Sequence, residues 1–242
     1  MHSSVTSTVS RCSSPTRFAD RSRYSHTTVD PGTLAISLRT LAISGAATLL
    51  SIAIGVPIGY VLAWRRFRGR TILLGIVNTG MGMPPVVVGL VVWLLLVRSG
   101  PFGAFELIYT APAMVIAQFL LATPIVVGFA TASFQGMNPQ IVDLLRVLGA
   151  GRLRRLWLLA REARLGLMTA VMAAFGAIVS EVGASMIVGG NLERSTRVLT
   201  TAIVTETSRG EVERALSLGV VLFALSLAVN ITLTVVQQRS RH

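Results

Sequence analysis

The sequence has almost none of the residues that bind metals or form disulfides. It contains one cysteine and three histidines, and all four lie near the ends of the chain, at Cys12, His2, His26 and His242. A disulfide framework and a cysteine or histidine metal site are therefore excluded from the long central part. Because no histidine dyad and no cluster of metal ligands remains there, the sequence predicts no catalytic residue, no bound cofactor and no metal site.

Charged residues are also scarce. They make up 13% of the chain, against about a quarter in soluble domains, while 52% of the residues are hydrophobic and the mean hydropathy is +0.68. Lysine is absent, so all 22 basic residues are arginine, and the formal net charge is +12. No basic face with interleaved aromatic residues occurs, which argues against a nucleic-acid partner. Basic loops in so apolar a chain are typical of segments that face membrane lipid.

The chain contains five long apolar runs. Each has at least about 20 residues, the length that a helix needs to cross roughly 30 Å of hydrocarbon. Only helices and closed barrels satisfy the backbone in lipid, and barrel strands are shorter and alternate in polarity. The sequence therefore predicts an all-α membrane bundle of five transmembrane helices, over Leu38–Trp64, Ile72–Val97, Pro112–Phe134, Leu165–Val188 and Ala215–Val236.

Residues 1–30 differ from the rest of the chain. They are rich in serine, threonine and arginine and contain no apolar run, which excludes a signal peptide. Two interpretations stay open: a disordered tail, or a leader that is not native because translation begins near Val29. The membrane domain is predicted over residues 31–242.

The arginines between the runs predict the orientation. Connector 65–71 carries four arginines and no acid, and connector 135–164 carries six arginines against two acids, whereas the other two connectors are balanced. By the positive-inside rule these two connectors lie in the cytoplasm, together with the tail that carries Arg239 and Arg241. The N-terminus is then predicted outside and the C-terminus in the cytoplasm.

Connector 135–164 has a helical pattern of its own. Asn138-Pro139 is typical of a helix start. Apolar residues then recur on one helical face, at Ile141, Leu144, Leu145 and Leu148. Glycines at 149 and 151 end this helix, and a second amphipathic segment follows. Two such helices suit either a groove on a partner protein or the membrane surface, and the spacing leaves both open.

The same connector resembles the Glu-Ala-Ala loop of ABC importer permeases. Asp143 stands at the acid and Gly149 at the glycine of that motif, while leucines replace its two alanines. The segment Pro84-Pro85-Val86-Val87-Val88-Gly89 resembles the double-proline segment of oxyanion permeases. Residues 180–184 and 189–191 are similar to their Glu-x-Gly and Gly-Asn segments. Segments 161–164 and 196–203 look most like the tungstate branch of the molybdate, tungstate and sulfate permeases.

This resemblance implies a homodimeric permease of the type I importer fold, in the cell membrane of a prokaryote. Separate ATPase subunits would use ATP and magnesium, and an external binding protein would deliver the anion. The residues implied to couple to the ATPase are Asp143, Leu144, Leu145, Leu148, Gly149 and Ala150. Tungstate is the substrate expected first. Molybdate or sulfate import, and a secondary transporter without an ATPase, are the alternatives.

Six residues are predicted to line or gate the pathway. Pro84 and Pro85 remove two backbone donors in mid-span, which is tolerated where the backbone lines a cavity or is buried in protein; a packing kink is the alternative. Glu181 is the sole ionisable residue of the fourth run. Since an acid repels a dianion, it is expected to be structural or gating, hydrogen-bonded to neighbours or paired with an arginine. The resemblance adds Gly89, Gly183 and Asn191.

Three smaller expectations concern packing and loops. Gly55 and Gly59 form a pair of small residues that predicts close helix packing. Thr123-Pro124 is expected to interrupt the third run more weakly than the double proline interrupts the second. Arg194 and Arg197, in a connector with four acids, are expected in an ordinary solvated loop rather than in a positive funnel for the anion.

Overall fold

The computed structural model describes residues 31–149 and 151–239, and helices dominate them. The predicted leader, residues 1–30, and Ala150 lie outside the described residues. Besides a 3-10 turn at Gly103–Phe105, the described part of the chain forms α1 (Pro31–Trp64), α2 (Arg70–Met81), α3 (Pro85–Leu96), α4 (Ala111–Gln135), α5 (Pro139–Val147), α6 (Arg152–Glu162), α7 (Arg164–Val179), α8 (Gly183–Gly189), α9 (Leu199–Ser208) and α10 (Val212–Arg239). The predicted all-α class is confirmed.

Three of these helices, α1, α4 and α10, are each long and apolar enough to cross a membrane. Two further candidates are bent pairs: α2 with α3, at 104°, and α6 with α7, at 80°. The predicted number of five spans is reached when each bent pair counts as one span. All three unbroken spans fall on predicted runs, because twenty or more apolar residues in sequence have no stable place outside lipid or a buried core.

The prediction of one continuous helix over Leu165–Val188 is wrong. α7 ends at Val179, and the chain leaves the helical path before α8 begins at Gly183. The second run is also divided, as its prolines predict. In contrast, α4 continues through Pro124, so the expected interruption of the third run does not occur.

α4 lies at the centre of the bundle and packs against α1, α2, α3, α7 and α8. Its contact with α1 depends on glycine, as predicted. A Cβ added at Gly59 would lie 2.7 Å from the Cβ of Ala130, and one added at Gly55 would lie 2.9 Å from a methyl carbon of Val126. These distances are shorter than carbon–carbon contacts of about 3.5–4.0 Å, so side chains at these positions would push the two helices apart.

The connector between α8 and α10 is a packed structure rather than the solvated loop that was expected. It contains α9, and Thr196, Thr200, Thr201 and Glu206 are buried in it. Arg194 is exposed as expected, but the side chain of Arg197 is only 13% exposed and forms an ion pair with Glu193. The hydropathy pattern does not reveal α9, because charged residues lie on either side of its short apolar segment.

Candidate functional site

The double proline separates α2 from α3. Pro84 has an extended ψ of 122°, and Pro85 occupies the first turn of α3, where its missing N–H would have no intrahelical partner. Gly82 and Pro84 are exposed, and Pro85 is half-buried. The break therefore lies at the surface of the described bundle.

α3 and α8 cross at two glycines, one from each helix. A Cβ added at Gly89 would lie 2.6 Å from the Cα of Ala184, and one added at Gly183 would lie 2.6 Å from a methyl carbon of Val86. Since these glycines follow the two breaks in the chain, the crossing brings the end of the α2–α3 break beside the end of the α7–α8 break. Five of the six predicted pathway residues, Pro84, Pro85, Gly89, Glu181 and Gly183, therefore lie on the segments that meet here.

Glu181 stabilises the start of α8. Its Oε1 accepts a hydrogen bond from the backbone N–H of Ala184 at 2.9 Å, and its backbone carbonyl accepts one from the Thr200 hydroxyl at 3.1 Å. The side chain is half-buried, and Glu181 takes part in none of the ion pairs found in the described part of the chain. Glu181 is expected either to be hydrogen-bonded to neighbours or to pair with an arginine, and the structure has the hydrogen bonds. The gating role stays a prediction.

Asn191 lies beyond the other end of α8, away from the glycine crossing. It has a positive φ of 49°, and its side-chain N–H donates to the Thr205 hydroxyl at 2.7 Å. Its side-chain oxygen is buried and has no partner among the described residues. The Thr196 hydroxyl nearby accepts the Leu192 N–H and donates to the Gly189 carbonyl. Asn191 thus connects the end of α8 to α9.

Two residues of α1 that the sequence does not predict as functional hold this connector. Arg39 donates to the backbone carbonyls of Arg194, at 2.7 Å, and Arg197, at 3.1 Å. The Thr40 hydroxyl accepts the Leu199 N–H at 3.0 Å, which satisfies a donor in the first turn of α9. The sequence carries one signal for this role. Arg39 is the one arginine inside the first apolar run, and a charge in such a run needs a partner.

The predicted pair of short helices in connector 135–164 is present as α5 and α6. Gly149 follows α5 with a φ of 69°, a left-handed conformation that glycine adopts readily. The apolar face of α5 is divided: Leu145 packs into the bundle with the buried Val142, whereas Leu144 and Leu148 are exposed. Of the three leucines, only Leu144 and Leu148 are therefore exposed in this structure, and the coupling role of all three stays a prediction. Asp143 is exposed on α5.

α6 also has exposed apolar side chains. Leu153 and Trp157 are exposed, and the guanidinium of Arg161 lies 5.7 Å from the centre of the Trp157 ring. On its other side, α6 buries Leu159 in the bundle. We call the exposed set the coupling elbow, after the role that the sequence resemblance implies for this connector: Leu144, Val147, Leu148, Leu153 and Trp157.

The described residues contain no group of three or more histidine, cysteine or acidic side chains placed to hold a metal ion.

The chain matches the model of the family "Binding-protein-dependent transport system inner membrane component" over residues 55–242. It belongs to this family. A "Probable anion ABC transporter permease protein" of Haloferax volcanii is 43% identical over 202 residues, which cover 81% of this chain and 87% of that protein. The tungstate uptake system permease protein TupB of Peptoclostridium acidaminophilum is 36% identical, covering 86% of this chain and 92% of that protein.

Among solved structures, the MetNI methionine ABC transporter in an inward-facing conformation is similar in fold. The TM-score is 0.70 at 16% identity, and the match covers 86% of this chain and 96% of that one. The family resemblance and the type I importer fold predicted from the sequence are confirmed. The chain is a multi-pass membrane permease of this family.

Proposed function

We propose that the chain is the membrane subunit of an ATP-driven importer of a tetrahedral oxyanion, with tungstate as the first candidate. The observation that carries the proposal is the coupling elbow: Leu148 is 69% exposed and Trp157 is 60% exposed, beside arginines, in a chain of this transport family. Large apolar side chains at a basic, cytoplasm-facing surface need a partner, and a groove on an ATPase subunit accepts them.

The proposal includes the partners and the orientation, and the placement of the arginines supports the orientation. Arginine placement puts the elbow and the C-terminus in the cytoplasm and the N-terminus outside. An ATPase subunit then binds the elbow and hydrolyses ATP with magnesium, while this chain performs no chemistry. A second copy of the chain forms the other wall of the pathway, and an external binding protein delivers the anion to the opposite side.

The joint between α6 and α7 supplies a way to transmit movement. Ala163 ends α6 and precedes α7, and the hydrogen bonds from its N–H to Leu159 and from Leu167 to its carbonyl run through the bend. Ala163 is buried at this joint, while Glu162 and Arg164 on either side are exposed; the proposal is that α6 and α7 move as one unit. α7 is 16 residues, about 24 Å, long, and a tilt of about 10° at the elbow therefore displaces its other end, beside Glu181, by about 4 Å.

Tungstate, molybdate and sulfate share charge and shape, and the relative named for tungstate uptake puts tungstate first. The test is uptake of labelled tungstate by cells that express the chain with its ATPase and binding protein, with excess molybdate or sulfate as competitors. We expect tungstate uptake that disappears without the ATPase. Uptake that persists without it would identify a secondary transporter, and stronger inhibition by molybdate or sulfate than by unlabelled tungstate would change the substrate.

The elbow is tested by co-purification of the ATPase subunit. Loss of a hot-spot residue at the centre of an interface costs about 2 kcal/mol or more, about 30-fold in affinity, and an aspartate in an apolar groove adds a buried charge without a partner. We expect Leu148→Asp to lose the ATPase and Leu192→Asp, at an exposed leucine in the α8–α9 connector, to retain it. Equal co-purification with both variants would remove the elbow from the interface.

A further inference from the structure

The surface of α2 has three distinct faces. One packs into the bundle through Val77 and Leu74. A second is exposed and apolar, and Ile72 is 70% and Ile76 62% exposed there. The third, which we call the polar face of α2, is exposed and carries only uncharged polar residues and glycine at helical spacing: Thr71, Gly75, Asn78, Thr79 and Gly82.

The polar face lies level with the interior of α4, one of the candidate membrane spans. Val77, next to Asn78 in the chain, lies against α4: its methyl carbon would be 3.8 Å from a Cβ added at Gly128. Gly128 is seven residues before the end of α4 at Gln135, which places this level about 10 Å inside the end of the helix. Asn78 therefore lies at a depth where lipid chains surround any outward-facing side chain of an isolated helix.

A carboxamide at this depth needs water or a polar partner. The side chains of Asn78 and Thr79 make no hydrogen bond to any other described residue, and both are exposed. Unsatisfied polar groups are strongly disfavoured in hydrocarbon, whereas the isoleucines on the neighbouring face of the same helix suit lipid. The two exposed faces of α2 therefore suit two different environments: lipid on the isoleucine side, and water or a polar partner on the other.

α7, which packs on another side of the central α4, also exposes few large apolar side chains. All of its leucine, valine, isoleucine, methionine and phenylalanine side chains are at least partly buried. Its exposed residues beyond Arg164 are Thr169 and Ala177, and Ser180 follows at the break. A helix with no large apolar side chain on its exposed face presents little that favours lipid.

The charges near α2 favour an anion over a cation. Residues 31–105 contain no aspartate or glutamate, and four arginines, at 65, 66, 68 and 70, stand at the start of α2. Amide N–H and hydroxyl groups donate hydrogen bonds to oxyanions, and no carboxylate on this segment repels them.

We infer that the polar face of α2 lines a water-filled passage for the hydrated oxyanion, with the Asn78 amide and the Thr79 hydroxyl as hydrogen-bond donors. The anionic occupant rests on the proposed function, but the water does not. The neighbouring break at Gly82–Pro84 opens on the same helix end, where exposed irregular backbone also requires water or protein.

Accessibility of introduced cysteines tests the passage. Cys12 is the one cysteine of the chain, so Cys12→Ser provides a cysteine-free background. Asn78→Cys and the matched control Ile76→Cys are two residues apart and both exposed, on different faces. Membrane vesicles that contain the full chain are treated from the cytoplasmic side with a charged, water-soluble methanethiosulfonate, which reacts with thiolate and so requires water.

We expect Asn78→Cys to react at least tenfold faster than Ile76→Cys, and added tungstate to slow its reaction. Thr79→Cys against Ile72→Cys is the second pair, should the first variant fail to accumulate in the membrane. Equal rates within a pair, or faster labelling on the isoleucine face, would overturn the passage. Fast labelling that tungstate does not slow would overturn the anion as its occupant.

The cysteine labelling tests the water-filled face, and the tungstate uptake tests the proposed function, so either can fail without the other. If the wild-type chain imports no tungstate while Asn78→Cys still reacts faster than Ile76→Cys, the proposed function fails and the water-filled face stands. If uptake is normal and neither cysteine of the polar face reacts, the passage lies elsewhere and the proposed function stands.

Discussion

The glycine crossing of α3 and α8 makes a quantitative prediction. A Cβ added at Gly89 would lie 2.6 Å from the Cα of Ala184, about 1 Å closer than carbon contacts of about 3.5–4.0 Å allow. Because the obstacle is backbone, Gly89→Ala must separate the two helices, and overpacking of this kind costs roughly 1–3 kcal/mol. The helix gains about 0.5–1 kcal/mol from replacing glycine by alanine, which partly offsets that cost.

Gly219→Ala is the matched control, since Gly219 lies in α10 and an added Cβ there meets nothing within 4 Å. It receives the same helix gain without the collision, so the two variants should differ in stability by roughly 1–3 kcal/mol. The measurement is the thermal unfolding midpoint of both purified variants in one detergent. A midpoint for Gly89→Ala equal to or above that of Gly219→Ala would show that the helices do not cross as closely as the structure has them.

Three further predictions use the hydrogen bonds and turns around the site. Glu181→Ala removes the carboxylate that caps α8, so we expect the free energy of unfolding to fall by roughly 0.5–2 kcal/mol. Glu181→Gln keeps an acceptor and should keep most of the stability in thermal unfolding. Equal losses in the two variants would contradict the cap. Arg39→Ala releases two backbone carbonyls of the α8–α9 connector and should speed tryptic cleavage of that connector. Arg98→Ala breaks an exposed ion pair and should leave the cleavage rate unchanged. Equal cleavage rates in the two variants would show that Arg39 does not hold the connector. Gly149→Ala places a Cβ on a residue with a φ of 69°, which costs roughly 1–2 kcal/mol, and should weaken co-purification of the ATPase. Gly151→Ala should not, because the φ of Gly151 is −59°. The same yield of ATPase with both variants would contradict a role for the left-handed turn.

The parts of the fold that the sequence predicts well are those set by local pattern. Apolar runs of twenty or more residues determine α1, α4 and α10, because no other environment accepts them. The elbow helices α5 and α6 follow from helical spacing and from Gly149, whose left-handed conformation separates them. Periodicity does not say which residues of an amphipathic face turn inward, so it does not predict the partial burial of Leu145.

α9 could not be predicted because its stability comes from distant residues. Its sequence, Leu199–Ser208, is short and lies in a connector with equal numbers of arginines and acids. What holds it is the Thr40 hydroxyl at its first turn and the Arg39 guanidinium on the preceding carbonyls, both more than 150 residues away in the chain. A hydropathy window sees neither contact.

The fourth run is also divided by contacts with residues that are distant in the chain, whereas the second run is divided by its own local sequence. In the second run the break comes from the local sequence, since two adjacent prolines remove two consecutive N–H donors, whereas the single prolines Pro57 and Pro124 are accommodated inside α1 and α4. In the fourth run, Ser180-Glu181-Val182 carries no proline, and the break persists because Glu181 caps α8 while Thr200 of α9 binds the Glu181 carbonyl. The break thus depends on α9 being in place. Disruption of α9 should therefore alter the glycine crossing, whereas the double proline should bend the second run even in an isolated peptide.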